Sequence, residues 1–577
     1  ASPAGTGRPG GLPHAVLTQS PNLRGAKDGA FGSKACHSSP TSGYSEWHSS
    51  LHPFLEPEVF MNIFPYREYR QRLLAVALVA LAVFDSGATW AADGRVHGKV
   101  QYEKILYRNP ETGVPGLCLD RPVLRPVVGA RIELIDNEGV VLASGRTDAT
   151  GRYSLTWSAT SQPTALVRVF ADADNAVVVD HFEPERVYAV NSEAWPLPAG
   201  EASKDVTAGD GTRASGPFNI LAVIRIGNDL IRAAEPTVVF PRLTIRWTSR
   251  PREGSSFFVR GKSEAYILGD RAKDSDEFDD FIILHEYGHY LAHTFSKDDS
   301  PGGPHGGGHR LDPRLAWSEG WATFFAAAAL NDARYVDTGA NPLTGSGALV
   351  EIDLNAERRD GDRAGYWSEF TVSSVLWAIH DTNADKGHLG AGFVEIWKTL
   401  RSKAWSDLPR YRNLVDFVDL LVKDKPEMGS RVAKVLAARG VKYSPAATPS
   451  VAEPYVRPIA SGTPLEGEID SLGELALSKL EARAVFSFTL TERKKVKIHM
   501  EITDSRVKDK ADLDLWLFDA AGKALRFSNA SNGVGDTETI EAELAPGRYF
   551  VEVQSWAALR NGGILFNTGR FRLRVDF

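Results

Sequence analysis

The chain has little cysteine, no excess of positive charge and no apolar run long enough for a stable membrane span. It contains two cysteines, Cys36 and Cys118, in 577 residues, with a formal net charge of −7. The negative charge and the lack of a long basic run argue against a nucleic-acid-binding protein. The apolar run at residues 73–84 has 12 residues, whereas about 20 are needed to cross a bilayer. At this length, two to four domains are expected.

Residues 61–92 have the pattern of a secretory signal peptide. The polar segment NIFPYREYRQR precedes the apolar run LLAVALVALAVF, and DSGATWAAD follows with small residues suited to cleavage after Ala91 or Ala92. The alternatives are a buried helix or an uncleaved anchor. Cleavage would leave Cys118 as the one cysteine, predicted to be structural, and we expect a secreted, periplasmic or cell-surface protein.

Residues 1–60 precede this signal and are rich in Gly, Pro and Ser, without a periodic apolar pattern. Since a signal peptide normally begins a chain, Met61 is the expected start. Residues 1–60 are then a non-native or disordered extension.

Residues 93–190 are predicted to form a β-sandwich accessory domain. ARIELIDNEGVVLASGRTDATGRYSLTW contains three short alternating segments separated by turn residues. This stretch resembles carboxypeptidase-regulatory-like or Cna-B-like sandwich modules, which implies a spacer without chemistry of its own. Residues 191–215, rich in Ala, Gly, Ser and Asp, are predicted to be a connector.

From residue 216 to residue 443 the pattern becomes mainly helical. FNILAVIRIGNDLIRAA opens it, PRLTIRW and SEAYILGD are predicted strands, and four further helices are expected at 276–295, 313–330, 368–380 and 412–438. Residues 444–458 form a Pro/Ala/Ser linker.

Residues 459–577 return to a strand pattern. DLDLWLFDAAGKALRFS and ETIEAELAPGRYFVEVQSW resemble the bacterial pre-peptidase C-terminal domain, which implies a jelly-roll-like β-sandwich appended to secreted enzymes. Asp512 and Asp514 are either a solvated strand face or, less favoured, part of a Ca²⁺ site, since no closed set of oxygen ligands is visible.

The stretch ILHEYGHYLAH places His285, Glu286 and His289 in the pattern H-E-x-x-H. Histidines four residues apart lie on one face of a helix and can hold two corners of a zinc site. Glu286 lies about 100° around the helix from His285. It can therefore exchange a proton beside the open position of the metal. The alternative is a pair of hydrogen-bonded core histidines.

A third ligand is needed, and Glu319 is the preferred one. In LDPRLAWSEGWATFFAAAAL, Asp312 is the predicted N-cap and Pro313 the first helical residue. Glu319 is the single carboxylate within the apolar helix that follows, where an unpaired charge would be costly. A structural ion pair is the alternative. His293 lies too far along the same helix to join both other histidines. His305 and His309 belong to a Gly-rich loop, which is a poor support for a ligand.

HEYGH followed by WSEGWA resembles the gluzincin clan of zinc metallopeptidases, thermolysin-like in the broad sense. The resemblance implies that His285, His289 and Glu319 bind Zn²⁺ and that Glu286 activates water. It also nominates Tyr366, just before a later helix, as an oxyanion donor, with His380 as its rival. The thermolysin string N-E-x-x-S-D is absent, so thermolysin specificity cannot be carried over. SEAYILGD is the predicted edge strand for an extended substrate.

The expected fold class is therefore multidomain. A β-sandwich is followed by a mainly α, zincin-like α+β catalytic domain and then by a jelly-roll-like β-sandwich. The expected function is an exported zinc metallopeptidase acting on proteins or peptides. The alternatives are a surface-binding or adhesive protein with a structural or inactive zincin core, and a zinc hydrolase of non-peptide amides.

Overall fold

The computed structural model describes residues 92–577, except for short gaps at residues 253, 307–308, 342–344, 358–363, 384–386, 409–410, 444–455, 472–477, 506–510, 521, 530–532, 556–557, 561–562 and 566–567. The predicted signal peptide up to residue 91, the extension 1–60 and most of the predicted linker lie outside the described residues. Within the described part of the chain, no helix is long and apolar enough to span a membrane.

The N-terminal region is built from short strands that form two sheets. In the first, β1 is central: it pairs antiparallel with β2 and β5 and parallel with β11 and β12. The second has the order β10-β6-β3-β4, with β9 also paired to β6. The strands are β1 (Ala92–Lys104), β2 (Val123–Pro126), β3 (Arg131–Asp136), β4 (Val141–Arg146), β5 (Arg152–Ala159), β6 (Thr164–Phe170), β7 (Asp172–Ala173), β8 (Ala176–Asp180), β9 (Ala189–Asn191), β10 (Trp195–Pro196), β11 (Gly200–Ser203) and β12 (Val206–Ala208).

The predicted connector, residues 191–215, is instead part of these sheets. Gly200 of β11 pairs with Gly94, and Val206 of β12 pairs with Val100. Its Ala, Gly, Ser and Asp content suggested a loop, but parallel pairing to a distant strand depends on contacts that local composition does not report.

The middle region contains a five-stranded sheet of order β14-β15-β13-β8-β7. Its members after β8 are β13 (Leu243–Trp247), β14 (Phe257–Val259) and β15 (Glu264–Ile267). β8 comes from the range predicted as the accessory sandwich, yet it pairs parallel with β13, Val178 opposite Ile245. All five residues of β8 are buried. One hydrophobic core therefore runs from the N-terminal strands into the helices.

The predicted helices begin and end close to the predicted positions, but the last one is divided. The helices are α1 (Ser215–Ala234), α2 (Asp280–Phe295), α3 (Pro313–Leu330), α4 (Glu369–His380), α5 (Gly392–Arg401), α6 (Lys403–Ser406), α7 (Leu414–Asp424) and α8 (Gly429–Ala438). The last predicted helix is divided into α7 and α8, and α5 and α6 were not predicted. A hairpin that the sequence did not predict, β16 (Arg334–Asn341) and β17 (Gly345–Asp353), follows α3.

The C-terminal region forms two facing sheets with a separate core. Their orders are β18-β20-β25-β22-β23 and β19-β28-β21-β24. The strands are β18 (Val456–Pro458), β19 (Leu465–Ile469), β20 (Arg483–Leu490), β21 (Lys494–Ser505), β22 (Leu513–Asp519), β23 (Ala524–Ser528), β24 (Thr537–Leu544), β25 (Gly547–Ser555), β26 (Ala558–Arg560), β27 (Gly563–Leu565) and β28 (Gly569–Asp576). The predicted β-rich, multidomain character is present, with β sheets at both ends of the chain.

Candidate metal centre

The helix that carries the H-E-x-x-H pattern, α2, packs closely on α3. A Cβ added at Gly288 would lie 3.0 Å from the Cα of Ala322, and the indole N–H of Trp321 donates to the carbonyl of Gly288 at 3.0 Å. Small residues at this crossing let the two helix backbones approach. Gly320 of α3 allows close packing against α4, where its Cβ would meet Val372.

The start of α3 has the predicted cap. The Asp312 side chain accepts from the backbone N–H of Arg314, and Pro313 occupies the first helical position. This fixes the first turn of the helix that carries Glu319.

The close packing brings His285, His289 and Glu319 together. Oε2 of Glu319 lies 3.1 Å from Nε2 of His285 and 3.2 Å from Nε2 of His289, and the two Nε2 atoms are 3.2 Å apart. Zinc bonds of about 2.0–2.2 Å place neighbouring atoms of a tetrahedral site about 3.3–3.6 Å apart. The three atoms therefore form a triangle of nearly the size that one face of a zinc tetrahedron requires.

The electrostatics of the triangle favour a cation. Burial opposes the charge on Glu319, but His289 and the hydrogen bonds from both histidines hold the pKa of this carboxyl well below its usual range. Burial likewise opposes charge on His289, yet the carboxylate of Glu319 raises the pKa of this imidazole to about 9. A negative oxygen between two imidazoles stabilises either a proton or a metal ion at this place.

The outer ring nitrogens are held by residues of α3. Nδ1 of His289 lies 3.3 Å from Oγ of Ser318, and Nδ1 of His285 lies 3.3 Å from Oγ1 of Thr323. The Ser318 hydroxyl donates to Asp298 at 2.8 Å. Such partners orient the rings and leave Nε2 free for a metal.

Glu286 lines the same cleft, which has a volume of about 700 Å³. It is only 7% exposed, and burial raises the pKa of its carboxyl although the two histidines oppose this. A raised pKa brings a carboxylate nearer to the neutral range where it can accept and return a proton. Glu286 thus shares one cleft wall with His285, His289 and Glu319.

His305 lies nearer to the site than the sequence suggested. Its Nε2 is 3.3 Å from Oε2 of Glu319, and its Nδ1 lies 3.1 Å from the carbonyl of Gly303, to which it can donate. Glu369, which the sequence did not single out, also lines the cleft. Burial raises the pKa of the Glu369 carboxyl to about 7, against the influence of His305.

The other histidines that were weighed do not join the triangle. Nε2 of His293 accepts from the backbone N–H of Gly261 at 3.3 Å, and Nδ1 of His309 faces the carbonyl of Gly306 at 3.1 Å. His380 is packed against Phe324 and Trp377.

Tyr366, predicted as the oxyanion donor, is not among the residues that line the cleft. It is 7% exposed and packs edge-on against Trp367 with ring centroids 4.9 Å apart. Tyr335 of β16 does line the cleft, with its ring centroid 6.1 Å from that of His285. Tyr335 was not predicted as a site residue, because the hairpin that carries it was not predicted.

The edge strand beside the cleft is β14 rather than the predicted SEAYILGD. β15, Glu264–Ile267, lies between β13 and β14 in the sheet, whereas β14 ends the described strand order. Phe257 and Phe258 of β14 line the cleft. A three-residue strand within a loop gives too short an alternating pattern to be recognised from sequence.

At Asp512 and Asp514, where a Ca²⁺ site was the less favoured interpretation, the described residues do not form a group of three or more possible ligands. Among the described residues, the groups of three or more side chains that could hold a metal are the His285, His289 and Glu319 triangle and a cluster of four aspartates, Asp274, Asp276, Asp279 and Asp337.

Two family models match parts of the chain. The Mycolysin C-terminal domain matches residues 232–415, which include His285, Glu286, His289, His305 and Glu319, and the bacterial pre-peptidase C-terminal domain matches residues 482–555. The chain has no significant match among curated proteins. The two family matches support the architecture of a bacterial secreted peptidase and a peptidase role.

Solved structures match with low structural agreement. The pre-peptidase C-terminal domain of a collagenase from Bacillus anthracis shares 15% identity at a TM-score of 0.16, over 21% of this chain and 94% of that one. A mitogen from Yersinia pseudotuberculosis shares 9% identity at a TM-score of 0.13, over 20% of this chain and 83% of that one. At these TM-scores the similarities support no functional argument.

Proposed function

We propose that this protein is an exported zinc-dependent metallopeptidase. The observation that carries the proposal is the triangle of His285 Nε2, His289 Nε2 and Glu319 Oε2, with sides of 3.1–3.2 Å. Two imidazoles and one carboxylate are a donor set that suits zinc and leaves one position open. When bound there, zinc would act as a Lewis acid and make water more acidic.

The residues of the chain have separate roles in this proposal. Glu286 accepts a proton from the attacking water and returns it to the leaving amine, a task helped by its raised pKa. Two side chains that line the cleft, His305 and Tyr335, serve as hydrogen-bond donors to the developing oxyanion. Tyr366 does not line the cleft.

The edge strand beside the cleft favours an extended peptide as substrate. β14 ends its sheet beside the cleft, so its backbone groups can pair with a substrate strand. A purely structural zinc site would not need the buried Glu286 in the cleft wall, which argues against an inactive core. The edge strand β14 beside the cleft and the match to the pre-peptidase C-terminal domain favour peptides over other amides.

The experiment is cleavage of casein and of a peptide library by the full-length protein, with zinc content measured in parallel. Glu286→Gln should keep zinc and lose ~100-fold or more in turnover, because proton transfer is lost while the ligands remain. Glu319→Ala should lose both zinc and activity.

The matched control is Glu351→Gln, which removes an exposed carboxylate on β17 and should leave both readings unchanged. A Glu286→Gln variant that holds zinc and cleaves as fast as the parent would contradict the mechanism. Full zinc occupancy in Glu319→Ala would shift the third ligand to His305.

A further inference from the structure

Four aspartates from separate segments meet in and behind the wall of the cleft, apart from the zinc triangle. Asp274 and Asp276 precede α2, Asp279 is its N-cap, and Asp337 lies on β16. One carboxylate oxygen from each lies within 4.8 Å of the others. We call this group the aspartate cluster.

Several oxygens of the cluster are buried without a hydrogen-bond partner. Oδ1 of Asp274, Asp276 and Asp337 are shielded from solvent and accept no hydrogen bond from the described residues. Asp276 is only 3% exposed, and its other oxygen accepts from Ser256. An unpaired buried carboxylate is costly and calls for a proton or a cation.

The fourth aspartate, Asp279, already accepts hydrogen bonds from β16. Both oxygens of Asp279 accept hydrogen bonds from Thr338, from the backbone N–H at 2.9 Å and from the hydroxyl at 2.9–3.0 Å. It therefore anchors the β16 hairpin to the start of α2. Asp274, Asp276 and Asp337 each keep one carboxylate oxygen without a hydrogen-bond partner, and the three carboxylates lie close together.

The charge around the cluster is mostly negative. Burial, followed by repulsion from Asp274, Asp279 and Asp337, raises the pKa of Asp276 well above its usual range. Burial and the charge of Asp274 raise the pKa of Asp337 to about 7. The guanidinium of Arg252 interacts with Asp276 and offsets part of this negative charge.

We propose that the aspartate cluster binds a divalent cation that prefers oxygen ligands, of which Ca²⁺ is the best match. Ca²⁺ takes carboxylate oxygens at about 2.3–2.6 Å, which allows ligand atoms up to about 5 Å apart around one ion. The cluster offers carboxylate oxygens from at least three side chains inside this span, and no nitrogen or sulfur donor that would favour zinc.

Such an ion would join the chain segments that surround the zinc triangle. Residues 273–274 already bond to the far end of the β16 hairpin: the N–H of Ala340 donates to the carbonyl of Lys273 at 2.9 Å, and Asp274 bridges to Gly339. A cation bound by Asp276 and Asp337 would tighten this link. It would fix Tyr335 and the start of α2, and so hold the cleft wall without taking part in the reaction.

The test measures the melting temperature of the zinc-loaded, full-length protein while CaCl₂ is added at constant ionic strength. Calcium at millimolar concentration should raise Tm by about 5 °C or more. Tb³⁺ luminescence, sensitised by nearby aromatic residues, should report one site that Ca²⁺ displaces.

Variants locate the site. Asp337→Asn and Asp276→Asn should fold, because they remove repulsion, and should lose the calcium-dependent rise in Tm while keeping zinc. Should either fail to fold, Asp274→Asn, which is less buried, replaces it. The control Glu351→Gln, on the strand paired with β16, and Asp514→Asn, in the C-terminal region, should both keep the rise.

Three outcomes would overturn the proposal. They are no calcium effect in the parent protein, an equal effect in Asp337→Asn, and loss of the effect in Asp514→Asn alone. If Asp337→Asn instead raises KM only for peptides with Lys or Arg side chains, the cluster binds substrate and not a metal. The melting-temperature and Tb³⁺ measurements do not require peptidase activity, so their outcome stands apart from a failure of the zinc proposal.

Discussion

The hydroxyl of Ser318 can only accept a hydrogen bond from Nδ1 of His289, because its own proton is donated to Asp298. Nδ1 of His289 must therefore carry a hydrogen, and in the neutral ring Nε2 is left as the lone-pair nitrogen facing Glu319. The tautomer that a metal requires is thus set by a residue of the neighbouring helix.

Ser318→Ala should therefore weaken zinc binding by about 10–100-fold, the usual effect of losing such a partner. Zinc affinity, measured by competition with a chromogenic chelator, provides the test. Ser296→Ala is the control. Ser296 directly follows α2, and its hydroxyl donates to the carbonyl of Leu400 of α5, so this variant should change stability alone. Equal zinc affinities for both variants would show that Ser318 does not set the tautomer.

Gly288→Ala should also weaken zinc binding, for a steric reason. Its methyl group would meet the Cα of Ala322 at 3.0 Å, so α2 and α3 must move apart by a few tenths of an ångström. Glu319 would then shift relative to His285 and His289, and we expect a several-fold loss of zinc affinity.

Gly320→Ala is the matched comparison, because its methyl group would meet Val372 at 2.4 Å on the opposite contact of α3. It should lower the free energy of unfolding by about 1–3 kcal/mol with less change in zinc affinity than Gly288→Ala. The reverse order of zinc affinities would contradict this account of the helix crossing.

The C-terminal region should lose stability as pH rises from about 4 to about 7. Burial, with repulsion from Asp512 and Glu538, raises the pKa of Asp514 from 3.8 to about 7. Between these values the folded form holds a proton that the unfolded form has released, so the free energy of unfolding falls as pH increases.

Asp514→Asn should flatten this dependence, by an amount on the order of 1–4 kcal/mol across the range. Denaturant titrations at pH 4.5, 6 and 7.5 measure it. Glu541→Gln, an exposed residue of β24, should behave as the parent does. A slope in Asp514→Asn as steep as in the parent would show that other groups dominate.

Removal of the C-terminal region after Pro458 should impair catalysis more than zinc binding. The N–H of Asp312 donates to the carbonyl of Ser478 at 2.8 Å, and the N–H of Leu480 donates to that of Arg310 at 2.8 Å. A Cβ at Gly303 would lie 2.5 Å from Oγ of Ser478. The loop that carries His305 is therefore supported by this region, while none of the three zinc ligands comes from it.

We expect KM to rise in the truncated protein while zinc content stays near the parent level. A protease site placed in residues 444–455 supplies the control, because a nick there leaves the contacts of Ser478 and Leu480 in place. A truncated protein with unchanged kinetics would show that the loop does not need this support.

The parts of the site that the sequence could predict are those fixed by a single helix. His285, Glu286 and His289 need only the helical repeat to share a face, and Glu319 was conspicuous as one carboxylate in an apolar helix. The roles of His285, His289 and Glu319 as zinc ligands and of Glu286 as the base remain predictions. The short distances among His285, His289 and Glu319 depend on Gly288 and Ala322, and neither residue signals such a contact in the sequence.

The parts that the sequence did not predict depend on contacts between distant segments. Tyr335 and Asp337 enter the cleft on the β16–β17 hairpin. Most residues of β17 are exposed, so its sequence lacks the apolar–polar alternation that predicts a strand. β14 was too short to recognise, and His305 was discounted because its loop is rich in glycine. Tyr366 was chosen by resemblance; it packs on Trp367 outside the residues that line the cleft, and its role as oxyanion donor stays a prediction.

The placement of β8 has a consequence for how this protein could have been assembled in evolution. Ala176–Asp180 belongs by sequence to the N-terminal strands, but it is a central strand of the sheet beside α2. A recombination event that joined an unrelated partner near residue 190 would leave β13 with one side unpaired and its buried face uncovered. The N-terminal strands and the metal-centre region therefore depend on each other for a complete sheet, whereas the C-terminal region has a core of its own.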